Sequence, residues 1–207
     1  MGEIATNVWP KMKTLVFATG NVNKVTEIQM LLPDGFLIKG LSDIGCYEEL
    51  PETHNTIEAN SLEKAAYVFE KYGVDCFAED TGLEVEALDG EPGVDTAFYS
   101  GSRDPRQNME LLLHNLKSFT NRTARFKTVF TLKFNSQTHQ FTGIVTGKIA
   151  EKPVGQHGFG YDPIFIPDGA NITFAQMEPL EKKAYSHRAK AFQLMTSFLY
   201  ANFENSN

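Results

Sequence analysis

Short apolar runs alternate along the chain with segments in which apolar residues recur every three or four positions. The runs predict strands at residues 15–18, 36–40, 74–78 and 164–166. The recurring positions predict helices, because residues three and four apart lie on one helix face. These predicted faces carry Val25, Ile28, Leu31 and Leu32 before Pro33; Leu62, Ala65, Ala66 and Phe69; and Met109, Leu112, Leu113 and Leu116. Strands interleaved with helices are typical of an α/β protein.

One long stretch instead follows a strict two-residue period. Its alternating positions are Phe126, Thr128, Phe130, Leu132 and Phe134. This period predicts a long strand, which pairs with residues 141–148 across a turn at 135–138. A long hairpin beside strands that alternate with helices indicates a mixed sheet. We therefore predict a two-lobed α/β mixed sheet with flanking helices and a central cleft.

Capping preferences mark the ends of the helices. They predict starts at Asn55 with Glu58 in capping-box spacing, at Asp104 before Pro105, and at Ser186, and a helix end at Gly73. No repeat or low-complexity linker divides the chain. We predict a single two-lobed domain over residues 12–203, with an N-terminal tail at 1–11 and a C-terminal tail at 204–207.

Net charge restricts the class of partner. The 207 residues carry 26 acidic and 19 basic side chains, a formal charge of −7. Because binding nucleic acid requires many cations on phosphates, a nucleic-acid-binding module is disfavoured. A small anionic ligand, held by a few local cations or a metal, stays possible.

Cysteine spacing and hydropathy bear on the compartment. Cys46 and Cys76 form no CxxC motif, so two buried thiols are expected. No apolar run approaches the ~20 residues of a membrane-spanning helix, and residues 1–11 lack the apolar core of a signal peptide. We expect a cytoplasmic protein with no membrane partner.

The first candidate site is the polar loop that follows the first predicted strand. It reads Thr19-Gly20-Asn21-Val22-Asn23-Lys24 and leads into a helix. Backbone amides at a helix start favour an anion, and Lys24 adds a full positive charge. The GxxxxGK[ST] spacing of a Walker A loop is absent. Phosphate binding and an ordinary strand–helix turn both remain open.

The second candidate is Glu79-Asp80-Thr81-Gly82, which we place at the end of the strand over residues 74–78. Ligands bind outside the carboxyl ends of strands in open α/β sheets. Two adjacent carboxylates repel each other unless a cation lies near, and Mg²⁺ prefers such oxygens. Glu52 could supply a third oxygen. The alternative is a solvated acidic turn, followed by a half-exposed strand carrying Leu83, Val85 and Ala87.

Two further segments could hold a flat polar ligand. Residues 155–163, Gly-Gln-His-Gly-Phe-Gly-Tyr-Asp-Pro, flank Phe159 with glycines, so that its ring could stack on a base while Asp162 reads the edge. Lys182, His187 and Arg188 add cations, and His187 and Arg188 oppose the dipole at the start of a helix. This placement indicates a nearby anion or polar ligand atom. A turn with inward aromatic rings and solvated cations is the alternative.

Taken together and in order, these segments resemble the inosine triphosphate pyrophosphatase family. The shared motifs are Phe17-Ala18-Thr19-Gly20-Asn21 with Lys24, Glu52-Thr53, Asn60 with Lys64, Glu79-Asp80-Thr81-Gly82-Leu83, Pro92-Gly93, Gly158-Phe159-Gly160-Tyr161-Asp162-Pro163-Ile164-Phe165 and Ser186-His187-Arg188-Ala189. They extend from Leu15 to about Leu199. Each motif is weak alone, but the ordered set is specific.

The resemblance implies a homodimer that uses Mg²⁺ and converts ITP, dITP or XTP to the monophosphate and pyrophosphate, cleansing the nucleotide pool. By motif, the metal site is Glu52, Glu79 and Asp80, and Asp80 is also the catalytic base that activates metal-bound water towards the α-phosphorus. The implied substrate-binding residues are Thr19, Asn21, Lys24, Lys64, Thr81, Phe159, Gly160, Tyr161, Asp162, Lys182, His187 and Arg188.

Three positions depart from the family pattern and two rival functions stay open. Phe98 stands where relatives often have Arg, His157 replaces a small residue, and Glu79 replaces the usual bacterial Asp. These departures bear on substrate preference and dimer contacts. A Maf-like pyrophosphatase of other modified nucleotides should lack the segments around Phe159 and His187. A non-catalytic nucleotide sensor should lack a metal ligand or the base.

Overall fold

The computed structural model describes residues 13–32 and 35–203. The strands of these ranges are β1 (Lys13–Ala18), β2 (Phe36–Lys39), β3 (Cys76–Val85), β4 (Pro92–Gly93), β5 (Thr123–Phe134), β6 (Gln137–Ile149) and β7 (Phe165–Pro167). The helices of the same ranges are α1 (Val22–Gln29), α2 (Ile57–Tyr72), α3 (Pro105–Asn115), α4 (Pro179–Tyr185) and α5 (His187–Phe203). The predicted mixed α/β class is confirmed.

All the described strands belong to one sheet, with parallel pairing on one side and antiparallel pairing on the other. Its order is β2-β1-β3-β5-β6-β7, and β4 pairs with β3. The strand β1 runs parallel to β2 and β3, whereas β5 runs antiparallel to both β3 and β6. The predicted long hairpin is confirmed, and its turn is tighter than expected. Asn135 and Ser136 alone separate the strands, both with the positive φ that suits a two-residue hairpin.

Helices cover both faces of the β1–β3 region. On one face, Ile28 of α1 and Phe192 of α5 pack against Phe17 and Phe77. On the other face, Ala65 and Val68 of α2 pack against Ala18, Cys76 and Ala78. A third apolar cluster lies towards the other end of β5 and β6, where Phe126 contacts Phe165. The sheet is therefore buried on both sides where β3 crosses its middle.

The region beside β3 contains a gap between strands. Its pairing with β1 ends at Ala18 opposite Ala78, and its pairing with β4 begins only at Leu83 opposite Gly93. Residues 79–82 lie between these two pairings. They retain β5 as a partner on the opposite side. The gap is an opening beyond the carboxyl end of β1.

The bounds predicted for the strand over residues 74–78 are wrong, because β3 begins at Cys76 and ends at Val85. The strand predicted to end at Ala78 continues through Glu79–Gly82 to Val85, and all of these residues keep their register with β5. We predicted a turn there because two adjacent carboxylates rarely lie inside a buried strand. They are tolerated in β3 because each one contacts a cationic side chain.

Smaller differences concern helices. Thr56, rather than Asn55, caps α2, and its hydroxyl accepts a hydrogen bond from the amide of Ala59 at 3.2 Å. Leu62 is exposed, because α2 turns Ser61 and Lys64 towards the sheet instead. Ala87 lies in a short 3₁₀ helix, and α4 was not predicted. The caps at Gly73, Asp104 and Ser186 are confirmed.

Both predicted tails fall on residues that the structure does not describe. Residues 1–12 and 204–207, with Pro33 and Asp34, lie outside the described residues. Within the described part, no helix is long and apolar enough to cross a membrane. Cys46 and Cys76 are buried free thiols, as expected.

Candidate active site

Glu79 and Asp80 are neighbours in β3 but face opposite sides of the sheet. Successive side chains of a strand point to opposite faces. Phe77 and Glu79 contact α5 through Phe192 and Arg188, whereas Asp80 contacts Lys64 of α2. The two carboxylates therefore do not form one acidic pair. At the gap, Asp80 contacts Lys64, whereas Glu79 contacts Lys24 and Arg188.

On the α2 face, a lysine joins two of the predicted metal ligands. Lys64 Nζ lies 3.2 Å from Asp80 Oδ1 and also contacts Glu52 Oε1. Asp80 is buried, whereas the Glu52 side chain is 45% exposed, so this pair opens towards solvent at Glu52. Burial raises the pKa of Asp80, and Lys64 offsets this only in part. Although burial opposes its charge, Asp80 and Glu52 raise the pKa of Lys64, which therefore stays protonated.

On the α5 face, Glu79 is held by two cations. Arg188 contacts it in a bidentate pair, with Nε–Oε2 at 2.7 Å and Nη2–Oε1 at 3.2 Å. Lys24 Nζ lies 2.8 Å from Glu79 Oε1. Burial alone would raise the pKa of Glu79, but Arg188 and Lys24 hold it well below its usual range. Glu79 is therefore ionised at neutral pH and orients both cations.

The predicted phosphate loop lies at the mouth of the gap. The Asn21 side chain caps α1 by accepting from the amides of Asn23 at 3.0 Å and Lys24 at 3.4 Å. Thr19 Oγ1 accepts from the amide of Asn21 at 3.2 Å. The structure thus brings Thr19, Asn21 and Lys24 together at one helix start. Thr81 lies just inside, where its hydroxyl contacts Thr128 at 2.6 Å.

A cavity of about 240 Å³ opens beside α1. Asn23, Thr26 and Glu27 of α1 form one wall, and Phe159 and Lys182 form another. The predicted base-binding segments are therefore brought together here. Further lining residues are Met30, Leu31, His157, Gly158, Phe174, Met177, Pro179, Leu180, Lys183, Ser186 and Ala189.

Ion pairs fix the ammonium group in this cavity. Lys182 Nζ lies 2.7 Å from Asp162 Oδ2 and 5.2 Å from the centre of the Phe159 ring. Asp162 Oδ2 also accepts from the Phe159 amide at 2.8 Å. Burial raises the pKa of Asp162 despite these contacts. Asp162 therefore fixes both the lysine and the loop that presents the aromatic ring.

Glu27 joins the cavity to the carboxylate cluster, and the sequence analysis missed it. Its carboxylate accepts from Lys182 Nζ at 2.9 Å and contacts Nη1 of Arg188. Burial acts to raise its pKa, but Arg188 and Lys182 lower it below the usual value. Glu27 lies three positions after Lys24, so both reach inward from one side of α1. That spacing was the available signal.

Three other predicted residues lie outside the cavity lining, and two of them, His187 and Tyr161, are buried. His187 stacks on Phe126 with ring centres 4.8 Å apart, and its Nδ1 has no hydrogen-bond partner within the described residues. Tyr161 packs in the apolar cluster of Phe126, and its hydroxyl is likewise without such a partner there. Gly160 has a φ of 61°, in the left-handed region that favours glycine. Any contact of these residues with substrate stays a prediction.

The three departures from the family pattern differ in burial, and Glu79 is the buried one. Phe98 is 54% exposed. His157 lines the cavity, and its Nε2 lies 3.6 Å from Glu178 Oε1. Glu79 has the longer side chain that reaches Arg188 and Lys24. Only His157 and Glu79 therefore lie where they could alter ligand contacts.

The donor set on the α2 face fits a divalent metal. Asp80 Oδ2 is buried without a hydrogen-bond partner from the described residues, and a cationic group already joins Asp80 to Glu52. No three His, Cys, Asp or Glu side chains converge in the part of the chain that the structure describes. Magnesium commonly takes one or two carboxylates and completes its coordination with phosphates and water. Glu52 and Asp80 meet that need, whereas Glu79 would have to leave its cations.

Known proteins resemble this chain over most of its length. The dITP/XTP pyrophosphatase of Flavobacterium psychrophilum is 54% identical over 185 residues, which are 89% of this chain and 97% of that relative. The dITP/XTP pyrophosphatase of Porphyromonas gingivalis is 45% identical over 190 residues, 91% and 98% of the two chains. The solved structure of the Staphylococcus aureus Ham1 protein superposes with a TM-score of 0.84 at 35% identity, covering 92% of this chain and all of that one. The sequence model of the Ham1 family matches residues 15–198, and the chain belongs to this family.

Proposed function

We propose that this protein hydrolyses noncanonical purine nucleoside triphosphates, ITP, dITP and XTP, to the monophosphate and pyrophosphate. Relatives 45–54% identical are named dITP/XTP pyrophosphatases. The observation that carries the proposal is that α1 contributes residues to two neighbouring sites. Its first turn places Lys24 on the carboxylate cluster, and its next residues Thr26 and Glu27 form a wall of the cavity. One nucleotide could therefore place its phosphates at the carboxylate cluster and its base in the cavity.

The phosphate side of the site offers charge neutralisation and alignment, which phosphoryl transfer requires more than covalent help. Lys24 and Lys64 come from different helices and flank the gap beside β3. We assign the triphosphate to this gap, with the loop of Thr19 and Asn21 at its mouth. When substrate binds, both ammonium groups can exchange a carboxylate for a phosphate oxygen. The leaving pyrophosphate is thereby stabilised.

Asp80 is the proposed general base. Its Oδ1 lies 3.2 Å from Lys64 Nζ and is free to accept a proton once that lysine turns to a phosphate oxygen, and burial raises the pKa of Asp80, which makes it a stronger proton acceptor. A water oxygen forms a bond to the α-phosphorus as the bond from that phosphorus to the oxygen bridging to the β-phosphate breaks. The water proton goes to Asp80, and the bridging oxygen leaves with pyrophosphate.

Glu52 and Asp80 would hold Mg²⁺, which supplies charge neutralisation on the phosphates and lowers the pKa of water. Asp80 offers its free oxygen, while Glu52 reaches in from solvent. The assignment of Glu79 as a third ligand stays a prediction. In the described arrangement, Glu79 orients Arg188 and Lys24 instead.

Base selection is assigned to the cavity beside α1. Lys182 donates from a position fixed by Asp162 and Glu27. Inosine and xanthosine carry a carbonyl acceptor at the 6-position, whereas adenosine carries an amino donor. A donor facing the amino group leaves polar groups badly paired, at a cost of ~1–3 kcal/mol per unsatisfied contact. Guanosine shares the carbonyl, so this contact discriminates against ATP, and GTP must be rejected through its 2-amino group by another contact. Phe159 adds a ring face on which the base can stack.

A panel of triphosphates tests the function directly. The purified protein with Mg²⁺ is expected to release pyrophosphate from ITP, dITP and XTP, and much less from ATP and GTP. Orthophosphate as the sole product, or equal rates with ATP and ITP, would contradict the proposal. A Maf-like enzyme would favour other modified nucleotides, and a sensor would bind without turnover. The presence of Glu52, Asp80 and both lysines in one site favours turnover.

The cellular context rests on the same proposal. An enzyme that cleanses the nucleotide pool would act in the cytoplasm, and the buried free thiols suit a reducing compartment. We also propose a homodimer, supported by the family resemblance. Sedimentation of the purified protein at micromolar concentration should give twice the mass of 23.1 kDa.

A further inference from the structure

The loop that carries Glu52 is tied to α2 by side chains that the reaction itself does not use. The amide and the hydroxyl of Thr53 each donate to a different oxygen of Glu63, both at 2.8 Å. One residue later, the amide of His54 donates to Asn60 Oδ1 at 2.8 Å. Asn60 and Glu63 lie three positions apart on α2 and so share a face. Two consecutive loop residues are thus held by one helix face.

These contacts fix the register between the loop and the helix. Glu63 and Lys64 are adjacent in α2, and they contact the adjacent residues Thr53 and Glu52. Glu63 is bonded to a backbone amide as well as to a side chain, so it restrains the path of the loop. Lys64 restrains only the end of the Glu52 side chain. The two contacts therefore have different roles.

Substrate and metal would break one of these contacts and leave the other. Lys64 Nζ contacts Glu52, and the proposed reaction draws Lys64 towards a phosphate and Glu52 towards a cation. The side chain of Glu52 is 45% exposed, so little packing would hold it once Lys64 leaves. The bidentate contact between Glu63 and Thr53 takes no part in that exchange.

We propose that Glu63 is a positioning residue, which holds Glu52 within reach of Asp80 when the divalent metal binds. The inference depends on the proposed metal site of Glu52 and Asp80. Glu63 does not touch metal or substrate. It acts through the loop, chiefly through Thr53, and its Oε1 also lies 3.9 Å from His54 Nε2. Partners that orient metal ligands typically contribute about 10–100-fold to metal affinity or activity.

Direct titration of metal tests this role without measuring turnover. The probe is Mn²⁺, followed by the electron paramagnetic resonance of the free ion, with the full chain and a non-hydrolysable ITP analogue present. Glu63→Ala is expected to raise the dissociation constant about tenfold. Glu63→Gln keeps an acceptor for the Thr53 amide and should recover much of the affinity. Glu70→Ala, an exposed position on the same helix, is the matched control and should leave affinity unchanged.

Two further variants separate the possible failures. Glu52→Gln removes the proposed ligand, so unchanged Mn²⁺ affinity in this variant would contradict the metal site and the inference with it. Weakened binding in Glu52→Gln with unchanged binding in Glu63→Ala would overturn the inference alone. Thr53→Val removes the hydroxyl that donates to Glu63 and leaves α2 intact. It should also weaken Mn²⁺ binding, so the inference can be tested even if Glu63→Ala folds poorly. An equal loss of affinity in Glu70→Ala would also overturn it.

Discussion

Lys182 Nζ lies 2.7 Å from Asp162 Oδ2, so the ammonium group in the cavity is held by a carboxylate from a different segment of the chain. Both side chains are largely buried, and their attraction is therefore little screened by solvent. The lysine keeps a fixed direction instead of rotating freely. A fixed donor can discriminate a carbonyl from an amino group, because its side chain cannot move away when the ligand presents a second donor.

Replacing this donor should relax base selection. In Lys182→Met, the ratio of kcat/KM for ITP over ATP is expected to fall about tenfold, since a tenfold ratio corresponds to about 1.4 kcal/mol. Steady-state pyrophosphate release with each triphosphate measures the ratio. The double variant Lys182→Met with Asp162→Asn removes the unpaired buried acid and controls for misfolding. An unchanged ratio in both variants would rule out Lys182 as the selecting donor.

The proposed base gives a second prediction. Asp80→Asn should lower kcat by about 10²–10⁴-fold, because proton transfer by a positioned base contributes that much. Nucleotide binding, measured by isothermal titration calorimetry, should persist, since both lysines remain. Asp168→Asn, at an exposed aspartate, serves as the control. Near-normal rates in Asp80→Asn would assign the proton transfer to another group.

The bridging role of Glu27 predicts a loss of stability. Glu27→Gln leaves Lys182 and Arg188 without their shared counter-charge, at a cost of ~1–3 kcal/mol for a hydrogen bond to charged groups. Urea denaturation measures the free energy of unfolding. Glu70→Gln should change it by less than about 0.5 kcal/mol, as surface substitutions usually do. Equal free energies of unfolding for the two variants would show that the contacts of Glu27 with Lys182 and Arg188 do not stabilise the fold.

His187 predicts a pH dependence of stability. Burial lowers its pKa well below 6.5, and the neighbouring cations Arg188, Lys182 and Lys24 act in the same direction, although Glu79 opposes them. Below pH 6.5 the unfolded chain therefore binds a proton that the folded protein does not. The contribution of His187 to stability is full above pH 6.5 and declines as pH falls, by up to about 1.4 kcal/mol per unit.

The measurement is the free energy of unfolding of the ligand-free protein between pH 5 and 7.5. His187→Gln should show a shallower decline than the unsubstituted chain, because it lacks that proton site. His114→Gln, at an exposed histidine, should follow the unsubstituted protein. Parallel curves for all three proteins would show that His187 is protonated in the folded state.

Local patterns predicted most of the fold, and the reasons for the failures are physical. The alternation from Phe126 to Phe134 predicted β5 correctly, because a two-residue period is visible in a linear sequence. The continuation of β3 past Ala78 could not be predicted, since the cations that permit Glu79 and Asp80 to be buried come from distant helices. Lys24 was predicted from its position at a helix start. Glu27 was missed because its partners are more than 150 residues away in the chain.

The two-residue repeat of β3 makes strand register part of the chemistry. A one-residue insertion between Cys76 and Ala78 would move every following side chain of the strand to the opposite face of the sheet. Asp80, which now contacts Lys64, would then face Arg188 of α5. Glu79 would face Lys64 of α2 instead. Sequence changes on this strand can therefore be tolerated when they exchange one side chain for another, but not when they alter its length. Deletion and insertion scanning along residues 76–85 should find no permissive position, even where point substitutions are accepted.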